Sequence, residues 1–265
     1  MENVAMVDQY ETAARALRAA YGTGAIAPLR GVLGPTDADG AYAVQALNTR
    51  YWVDAGRRIV GRKVGLTAKA VQAQLGVDQP DFGVLFDDMA LADGGVLDPA
   101  RMLQPKAEGE VAMILGADLA GPDISRADVA AAVAEVAASI EIVDSRIADW
   151  KISFADTVAD NGSSAAFVLG PERHALDGTD LWSCGMVLEV NGAVVSVGAG
   201  AACLGHPLDA LTWLARTLSA RGEPLRKGDV VLTGALGPMA AIAPGDHVRV
   251  TIGGLGSASF TYGKA

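Results

Sequence analysis

The sequence has 265 residues, of which 51% are hydrophobic and 20% are charged, and its formal net charge is −10. This length allows one large domain or two small ones, with a sizeable buried core. Asp and Glu outnumber Lys and Arg by 31 to 21, and the basic residues do not cluster. The charge pattern therefore argues against a protein that binds nucleic acid or an anionic membrane surface.

The sequence shows neither a targeting segment nor a membrane-spanning segment. Residues 1–8 contain acidic residues and lack the basic stretch and apolar run of a secretory signal. The most apolar stretch, residues 129–140, is too short to cross a bilayer. Cys184 and Cys203 stand alone, which is typical of buried, reduced thiols, although a disulfide between them stays open. We therefore expect a soluble, cytoplasmic protein.

Apolar periodicity predicts a helical front section over residues 1–57, with helices at 3–21 and 41–57. Val7, Ala14, Leu17 and Tyr21 fall on one face of the first helix. Asp37 or Asp39 is suited to cap the start of the second helix.

Residues 58–265 have shorter apolar runs and more glycine, which favours a β-rich core. Further helices are predicted at 68–75, 124–139 and 208–220, and a polar turn at 78–81. Strands are predicted at 59–66, 110–115, 140–143, 229–233 and 247–252, with a hairpin at 185–197. Asn191-Gly192 is the turn signal of that hairpin. The sequence therefore predicts a single α+β domain in which a curled β core follows the helical section.

Three acids in two short, apolar segments are the strongest chemical signal. Glu108 and Glu110 lie two residues apart on a predicted strand, so their side chains point to the same face. Glu141 begins the segment Glu-Ile-Val-Asp-Ser-Arg and would complete a one-sided cluster. Buried carboxylates are costly unless they are paired or bind a metal, and these oxygens suit Mg²⁺, Mn²⁺ or Ca²⁺ better than zinc. Alternatively, Glu108 and Glu110 face water on a half-exposed strand.

Other polar residues give weaker signals. Lys63 lies in an apolar strand between glycines, where it could hold a carboxylate or donate a proton, or else point to solvent from an edge strand. Asp81 has the context of an ordinary turn residue. The segment 160–164, which includes Ser163, is a surface loop or lines a substrate site. The segment 233–238, with Thr233, Gly234 and Leu236, could offer backbone amides to an anion.

The three histidines do not pair at the spacing of a zinc site. They are His174, His206 and His247. His206 is interpreted as a residue that orients a loop.

Seven ordered blocks, taken together, resemble the hydratase/decarboxylase family of the aromatic meta-cleavage pathways, within the fumarylacetoacetate hydrolase superfamily. The blocks are Gly-Arg-Lys-Val-Gly-Leu-Thr at 61–67, Gly-Val-Asp-Gln-Pro-Asp-Phe-Gly at 76–83, Pro-Lys-Ala-Glu-Gly-Glu at 105–110, Glu-Ile-Val-Asp-Ser-Arg-Ile-Ala-Asp-Trp at 141–150, Asp-Thr-Val-Ala-Asp-Asn-Gly-Ser-Ser at 156–164, Gly-Ala-Gly-Ala-Ala-Cys-Leu-Gly-His-Pro at 198–207 and Leu-Thr-Gly-Ala-Leu-Gly-Pro-Met at 232–239. The resemblance extends from about residue 40 to the end. Gly109 and Gly162 depart from it, because family members usually have Ala at both positions.

The resemblance implies a mixed β-roll fold and a set of functional residues. It implies Mg²⁺ or Mn²⁺ at Glu108, Glu110 and Glu141. It implies proton transfer by Lys63 and Asp81, in roles that could be exchanged. The resemblance implies a substrate contact at Ser163. The segment 233–238 itself suggests further contacts at Thr233, Gly234 and Leu236. It also implies a homo-oligomer that could associate with the pathway decarboxylase or aldolase.

The implied reaction is the addition of water to 2-hydroxypenta-2,4-dienoate, giving 4-hydroxy-2-oxopentanoate. The blocks around Asp81 and Leu236 favour it. Three alternatives stay open: metal-dependent decarboxylation of 4-oxalocrotonate (2-oxo-3-hexenedioate), hydrolysis of an acylpyruvate C–C bond, and a non-catalytic partner subunit. The resemblance leaves the substituent at C5 of the substrate undecided.

Overall fold

The computed structural model describes residues 2–264, and the side chains of residues 8–264. Within this range, two β-sheets form the core and six α-helices pack around them. The helices are α1 (Glu2–Thr23), α2 (Ala38–Asp54), α3 (Lys69–Gln74), α4 (Arg126–Ala132), α5 (Phe154–Ala159) and α6 (Pro207–Ala220). The strands are β1 (Ile59–Gly65), β2 (Asp81–Phe86), β3 (Ala90–Leu91), β4 (Gly95–Leu97), β5 (Lys106–Leu115), β6 (Val133–Val143), β7 (Ser164–Leu169), β8 (Gly185–Val190), β9 (Ala193–Ala199), β10 (Val230–Ala235), β11 (Ala240–Ala241), β12 (His247–Ile252) and β13 (Gly256–Tyr262).

The larger sheet has the strand order β2-β1-β10-β5-β6-β7-β3, and β11 pairs with one end of β5. The long antiparallel pair of β5 and β6 lies at its centre, so side chains on these strands are far from a sheet edge. The smaller sheet has the order β4-β13-β12-β8-β9. Helices and mixed curled sheets together confirm the predicted α+β class.

The smaller sheet packs against one face of β5. A Cβ atom added at Gly109 would lie 2.7 Å from Val250 Cγ2 and 3.0 Å from the Met186 side chain. Since side chains alternate along a strand, Glu108 and Glu110 point to the opposite face. The glycine at this position therefore marks the close approach of the two sheets.

The helical front section agrees with the sequence prediction. Asp37 is the N-cap of α2, and its carboxylate accepts a hydrogen bond from the Gly40 amide at 3.0 Å. Ala14 and Leu17 on α1 are buried, whereas Tyr21 is exposed. The side chain of Val7 lies outside the described residues. The hairpin with Asn191-Gly192 at its turn is confirmed as β8 and β9.

The predicted helix at 124–139 is wrong in its second half. Ser125 and Asp128 form a capping box at the start of α4, but α4 ends at Ala132 and β6 begins at Val133. The alanine-rich segment favours a helix by local propensity. Its pairing with β5 and β7 overrides that preference. Because β6 is buried along most of its length, the sequence carries no clear alternation.

The position of Asp81 also differs from the sequence interpretation. The residue begins the buried strand β2 and is 1% exposed, so it is not an exposed turn residue. Strands β2, β7 and β13 were not predicted. Strands β2 and β7 are buried almost continuously and leave no period-two pattern, whereas β13 does alternate between apolar buried and polar, partly exposed residues and was missed despite that signal.

A buried ion pair connects the loops that follow β6 and α5. The Arg146 guanidinium donates to Asp160 Oδ1 at 2.5 Å and to the Asp144 carbonyl at 2.6 Å. The Arg146 backbone amide donates to Asp160 Oδ2 at 2.9 Å. Both side chains are almost completely buried, with exposures of 1% and 2%. The pair therefore fixes two loops that lead to the functional site.

We expect Arg146→Leu to destabilise the protein by about 3–5 kcal/mol, because it leaves the Asp160 carboxylate buried without its partner. Chemical denaturation would measure the change in the free energy of unfolding. Arg126→Leu is the matched control, since its pair with Asp209 is exposed and should contribute less than about 1 kcal/mol. Equal losses for the two variants would contradict the structural role of the buried pair.

Candidate metal centre

The structure brings Glu108, Glu110 and Glu141 together on one face of the larger sheet. Glu108 lies directly opposite Glu141 in the register of β5 and β6, and Glu110 lies opposite Ser139. One oxygen of each glutamate lies within 4.8 Å of the others. Glu110 and Glu141 are completely buried, and Glu108 is half-buried.

Within residues 8–264, the cluster has carboxylate oxygens that accept no hydrogen bond. They are Glu110 Oε1 and both Glu141 oxygens, of which Glu141 Oε2 lies in an ion pair with Lys63. Glu110 Oε2 accepts a hydrogen bond from the Gly234 amide at 2.7 Å. Burial, with the charge of Glu141, raises the pKa of Glu108 to about 7 and that of Glu110 well above its ordinary value. This oxygen-only set fits a hard divalent cation.

Lys63 and Asp81 lie beside the acids on the antiparallel strands β1 and β2. The Lys63 ammonium is 3.3 Å from Glu141 Oε2, and Lys63 is 3% exposed. Burial lowers the pKa of Lys63, but the surrounding carboxylates, Glu141 first, outweigh it and raise that pKa overall. Burial raises the pKa of Asp81, against the charge of Lys63. Asp81 Oδ1 has no hydrogen-bond partner among the described residues. The pair is therefore internal, not exposed to solvent.

Gly65 makes room for this pair, a role that was not predicted from the sequence. It lies opposite Asp81 in the register of β1 and β2. A Cβ atom added there would collide with Asp81 Oδ1 and lie 3.0 Å from Lys63 Nζ. The signal for it was present in the sequence, since a glycine two residues after a strand lysine faces the same side.

Ser163 belongs to a left-handed turn that packs on Lys63. Asn161, Gly162 and Ser163 have φ values of 58°, 60° and 54°. A Cβ atom at Gly162 would lie 3.0 Å from Lys63 Cε, so glycine fits here both for its conformation and for its size. The Ser163 hydroxyl lies 3.2 Å from the Thr157 hydroxyl. A contact between Ser163 and substrate stays a prediction.

Thr233, Gly234 and Leu236 border the acids, but their polar groups are used within the protein. The Thr233 hydroxyl donates to the Val111 carbonyl at 2.9 Å. The Gly234 amide donates to Glu110, and the Leu236 amide donates to the Gly109 carbonyl at 3.0 Å. These contacts hold β10 against β5. Direct contact of the three residues with substrate stays a prediction.

Lys106 is a further charged residue near the acids, and it was not among the predicted site residues. It precedes Glu108 by two residues on β5, so the two side chains share a face. Its ammonium lies 4.2 Å from the centre of the Trp150 ring. Burial lowers the pKa of Lys106, and the charge of Glu108 opposes that shift. The alternation Lys-Ala-Glu-Gly-Glu in the sequence already indicated that Lys106 shares a strand face with the two glutamates.

The histidines and cysteines lie outside the acid cluster. His206 is the N-cap of α6, where its Nδ1 accepts a hydrogen bond from the Leu208 amide at 3.0 Å. His206 therefore caps a helix, and its interpretation as a residue that orients a loop stays a prediction. Cys184 and Cys203 are both buried and free. None of the helices among residues 2–264 combines the length and hydropathy needed to cross a bilayer.

Comparisons with known proteins agree with this fold. Residues 57–261 match the model of the fumarylacetoacetate (FAA) hydrolase C-terminal family. The chain is 54% identical over 263 residues to 2-keto-4-pentenoate hydratase 1 of Dechloromonas aromatica strain RCB, covering 99% of this chain and 100% of that protein. It is 55% identical over 253 residues to 2-keto-4-pentenoate hydratase 2 of the same organism, covering 95% and 97%.

A solved structure gives the same relationship. The 4-oxalocrotonate decarboxylase from Pseudomonas putida G7, complexed with magnesium and adipate, superposes with a TM-score of 0.90 at 37% identity, covering 96% of this chain and 97% of that one. The chain therefore belongs to the fumarylacetoacetate hydrolase family, within its hydratase/decarboxylase branch.

Proposed function

We propose that this protein is a metal-dependent hydro-lyase that adds water to 2-hydroxypenta-2,4-dienoate and forms 4-hydroxy-2-oxopentanoate, in the breakdown of aromatic compounds. The carrying observation is the buried acid cluster with unpartnered oxygens beside Lys63 and Asp81. Relatives at 54% and 55% identity bear the name 2-keto-4-pentenoate hydratase, whereas the decarboxylase is 37% identical. The difference supports hydration over decarboxylation.

Glu108, Glu110 and Glu141 would hold Mg²⁺ or Mn²⁺. When bound, the ion would act as a Lewis acid that stabilises negative charge on the C2 oxygen of the substrate. The unpartnered oxygens of Glu110 and Glu141 support this assignment, because carboxylates buried without partners are costly. Carboxylate ligands suit both ions, so the choice between them rests on measurement.

Lys63 and Asp81 would move the protons. The 2-hydroxyl of the substrate loses its proton as C5 gains one, and the C4 carbon then bonds to the oxygen of water. Water loses one proton as C3 gains one, so that one molecule of water is added overall. The raised pKa of Lys63 keeps it cationic at neutral pH, which suits it to hold developing negative charge. The raised pKa of Asp81 suits it to accept a proton from water.

We further propose that the chain acts as a single catalytic domain within a homo-oligomer that binds a small 2-oxo or 2-hydroxydienoate acid. Association with a pathway decarboxylase or aldolase, and a cytoplasmic location, remain expectations from the family resemblance. Light scattering of the purified protein would measure the number of subunits.

The proposed reaction predicts Mg²⁺-dependent loss of the ultraviolet absorbance of freshly prepared 2-hydroxypenta-2,4-dienoate. Glu110→Gln should lower this rate by about 100-fold or more, because loss of a ligand removes several kcal/mol of charge stabilisation. Glu135→Gln is the matched control, since this exposed glutamate lies on the same strand as Glu141. Release of CO₂ from 4-oxalocrotonate, without consumption of the dienoate, would instead establish the decarboxylase.

We expect the affinity for Mg²⁺ to increase as the pH rises from 6 to 8. Below its pKa of about 7, Glu108 holds a proton that the ion must displace, and the pKa of Glu110 is also raised. Displacement of one proton corresponds to about a tenfold change in affinity per pH unit below that pKa. Titration calorimetry in buffers of different ionisation enthalpy would measure both affinity and proton release. An affinity that does not vary with pH would contradict this expectation.

Asp81→Asn should lower kcat by about 10²- to 10⁴-fold, because the variant keeps the shape of the side chain but cannot accept a proton. Binding of Mg²⁺ and of pyruvate, a non-reacting 2-oxo acid, should persist. Asp78→Asn is the control, since Asp78 is exposed in the preceding turn. Unchanged kcat in Asp81→Asn would remove Asp81 from the chemistry.

A further inference from the structure

Lys106 lies near Glu108 at the edge of the acid cluster, and within the described part of the chain it forms no ion pair. Among the side chains of residues 8–264, no carboxylate forms an ion pair with its ammonium. It lies instead over the Trp150 ring, at 4.2 Å from the ring centre. An aromatic face orients a cation but leaves its hydrogen-bond donors free for a ligand.

The surrounding backbone fixes Trp150 in this position. The indole Nε1 donates to the Gln104 carbonyl at 3.0 Å. The Gln104 side chain donates to the carbonyls of Ser145 and Ile147 at 2.7 and 2.5 Å. Trp150 has a φ of 54°, in the left-handed region that non-glycine residues rarely adopt. Such strained positions persist where neighbouring contacts hold them, and they are frequent at ligand sites.

The two lysines lie towards different members of the cluster. Lys63 is closest to Glu141, whereas Lys106 lies two residues from Glu108 on the same face of β5. With all its side chains ionised, a site of four acids and two lysines has a formal charge of −2, which a divalent ion would balance. The acids are Asp81, Glu108, Glu110 and Glu141. A substrate carboxylate would then meet one cation that is already paired, Lys63, and one that is not, Lys106.

We propose that the ammonium of Lys106, held over Trp150, binds the C1 carboxylate of the 2-oxo acid substrate. This inference rests on the proposed function and adds to it the orientation of the substrate in the site. With its carboxylate at Lys106, the carbon chain extends towards Lys63 and Asp81, where protons are transferred. Lys106 is thus a substrate-binding residue, and Trp150 is the residue that positions it.

Titration of Mg²⁺-loaded protein with pyruvate tests the proposal without requiring turnover. Lys106→Gln should weaken pyruvate binding by about 10- to 100-fold, the value of a charged hydrogen bond. It should leave binding of the uncharged amide, pyruvamide, unchanged. Lys106→Arg should retain most of the pyruvate affinity, because arginine also stacks on tryptophan. Lys151→Gln is the control, since Lys151 is an exposed neighbour of Trp150 and its loss should change nothing.

The affinity for Mg²⁺ separates this role from general damage to the site. Removing a positive charge next to Glu108 should leave Mg²⁺ binding unchanged or make it tighter, while pyruvate binding weakens. Parallel weakening of Mg²⁺, pyruvate and pyruvamide in Lys106→Gln would overturn the proposal, as would unchanged pyruvate affinity. If the wild-type protein binds pyruvate through Lys106 but does not hydrate the dienoate, the hydratase function is contradicted, whereas the role of Lys106 in binding a carboxylate is supported.

Discussion

The direct opposition of Glu108 and Glu141 across two central strands is the constraint on which the site depends. Like charges in this position repel each other, and burial prevents water from screening them. A shift of one residue in the register of β5 would turn Glu108 and Glu110 towards the smaller sheet and bring Gly109 to the site. The packing of Val250 and Met186 on Gly109 therefore also fixes where the acids point.

The rest of the site compensates for this concentration of charge. Lys63 supplies a cation beside Glu141, and the Gly234 amide supplies a dipole to Glu110. The left-handed turn that includes Gly162 packs on the methylene groups of Lys63 and limits where its ammonium can lie. The Arg146–Asp160 pair anchors the loop that leads into this turn. These contacts offset only part of the negative charge. Among the described residues, Glu110 Oε1 and Glu141 Oε1 remain without a hydrogen bond or an ion pair, as expected of a site that binds a cation.

The sequence predicted the parts of this arrangement that follow from local rules. The same-face geometry of Glu108 and Glu110 follows from strand periodicity. The helices α1, α2 and α6 follow from capping and apolar spacing. The position of Glu141 beside them could be inferred only from the family resemblance or from the pairing of β6 with β5. That pairing was not predicted, because the alanine-rich first part of β6 has the composition of a helix. Asp81 resembled a turn residue because the environment that buries it comes from strands distant in sequence. Lys106 was missed because a lysine next to acids on a strand is also typical of a solvated face.

Two lysines of similar chemistry are thus placed in different environments, and the difference suggests a division of roles. Lys63 is enclosed by carboxylates, so its charge is committed to the site before a ligand arrives. Lys106 is half-buried and oriented by an aromatic ring, so it can exchange solvent for a ligand carboxylate at little cost. A 2-oxo carboxylate is common to the substrates of hydration and decarboxylation. The end of the site near Lys106 and the acids can therefore serve either reaction, and the choice between them must be made where the far end of the substrate meets Asp81.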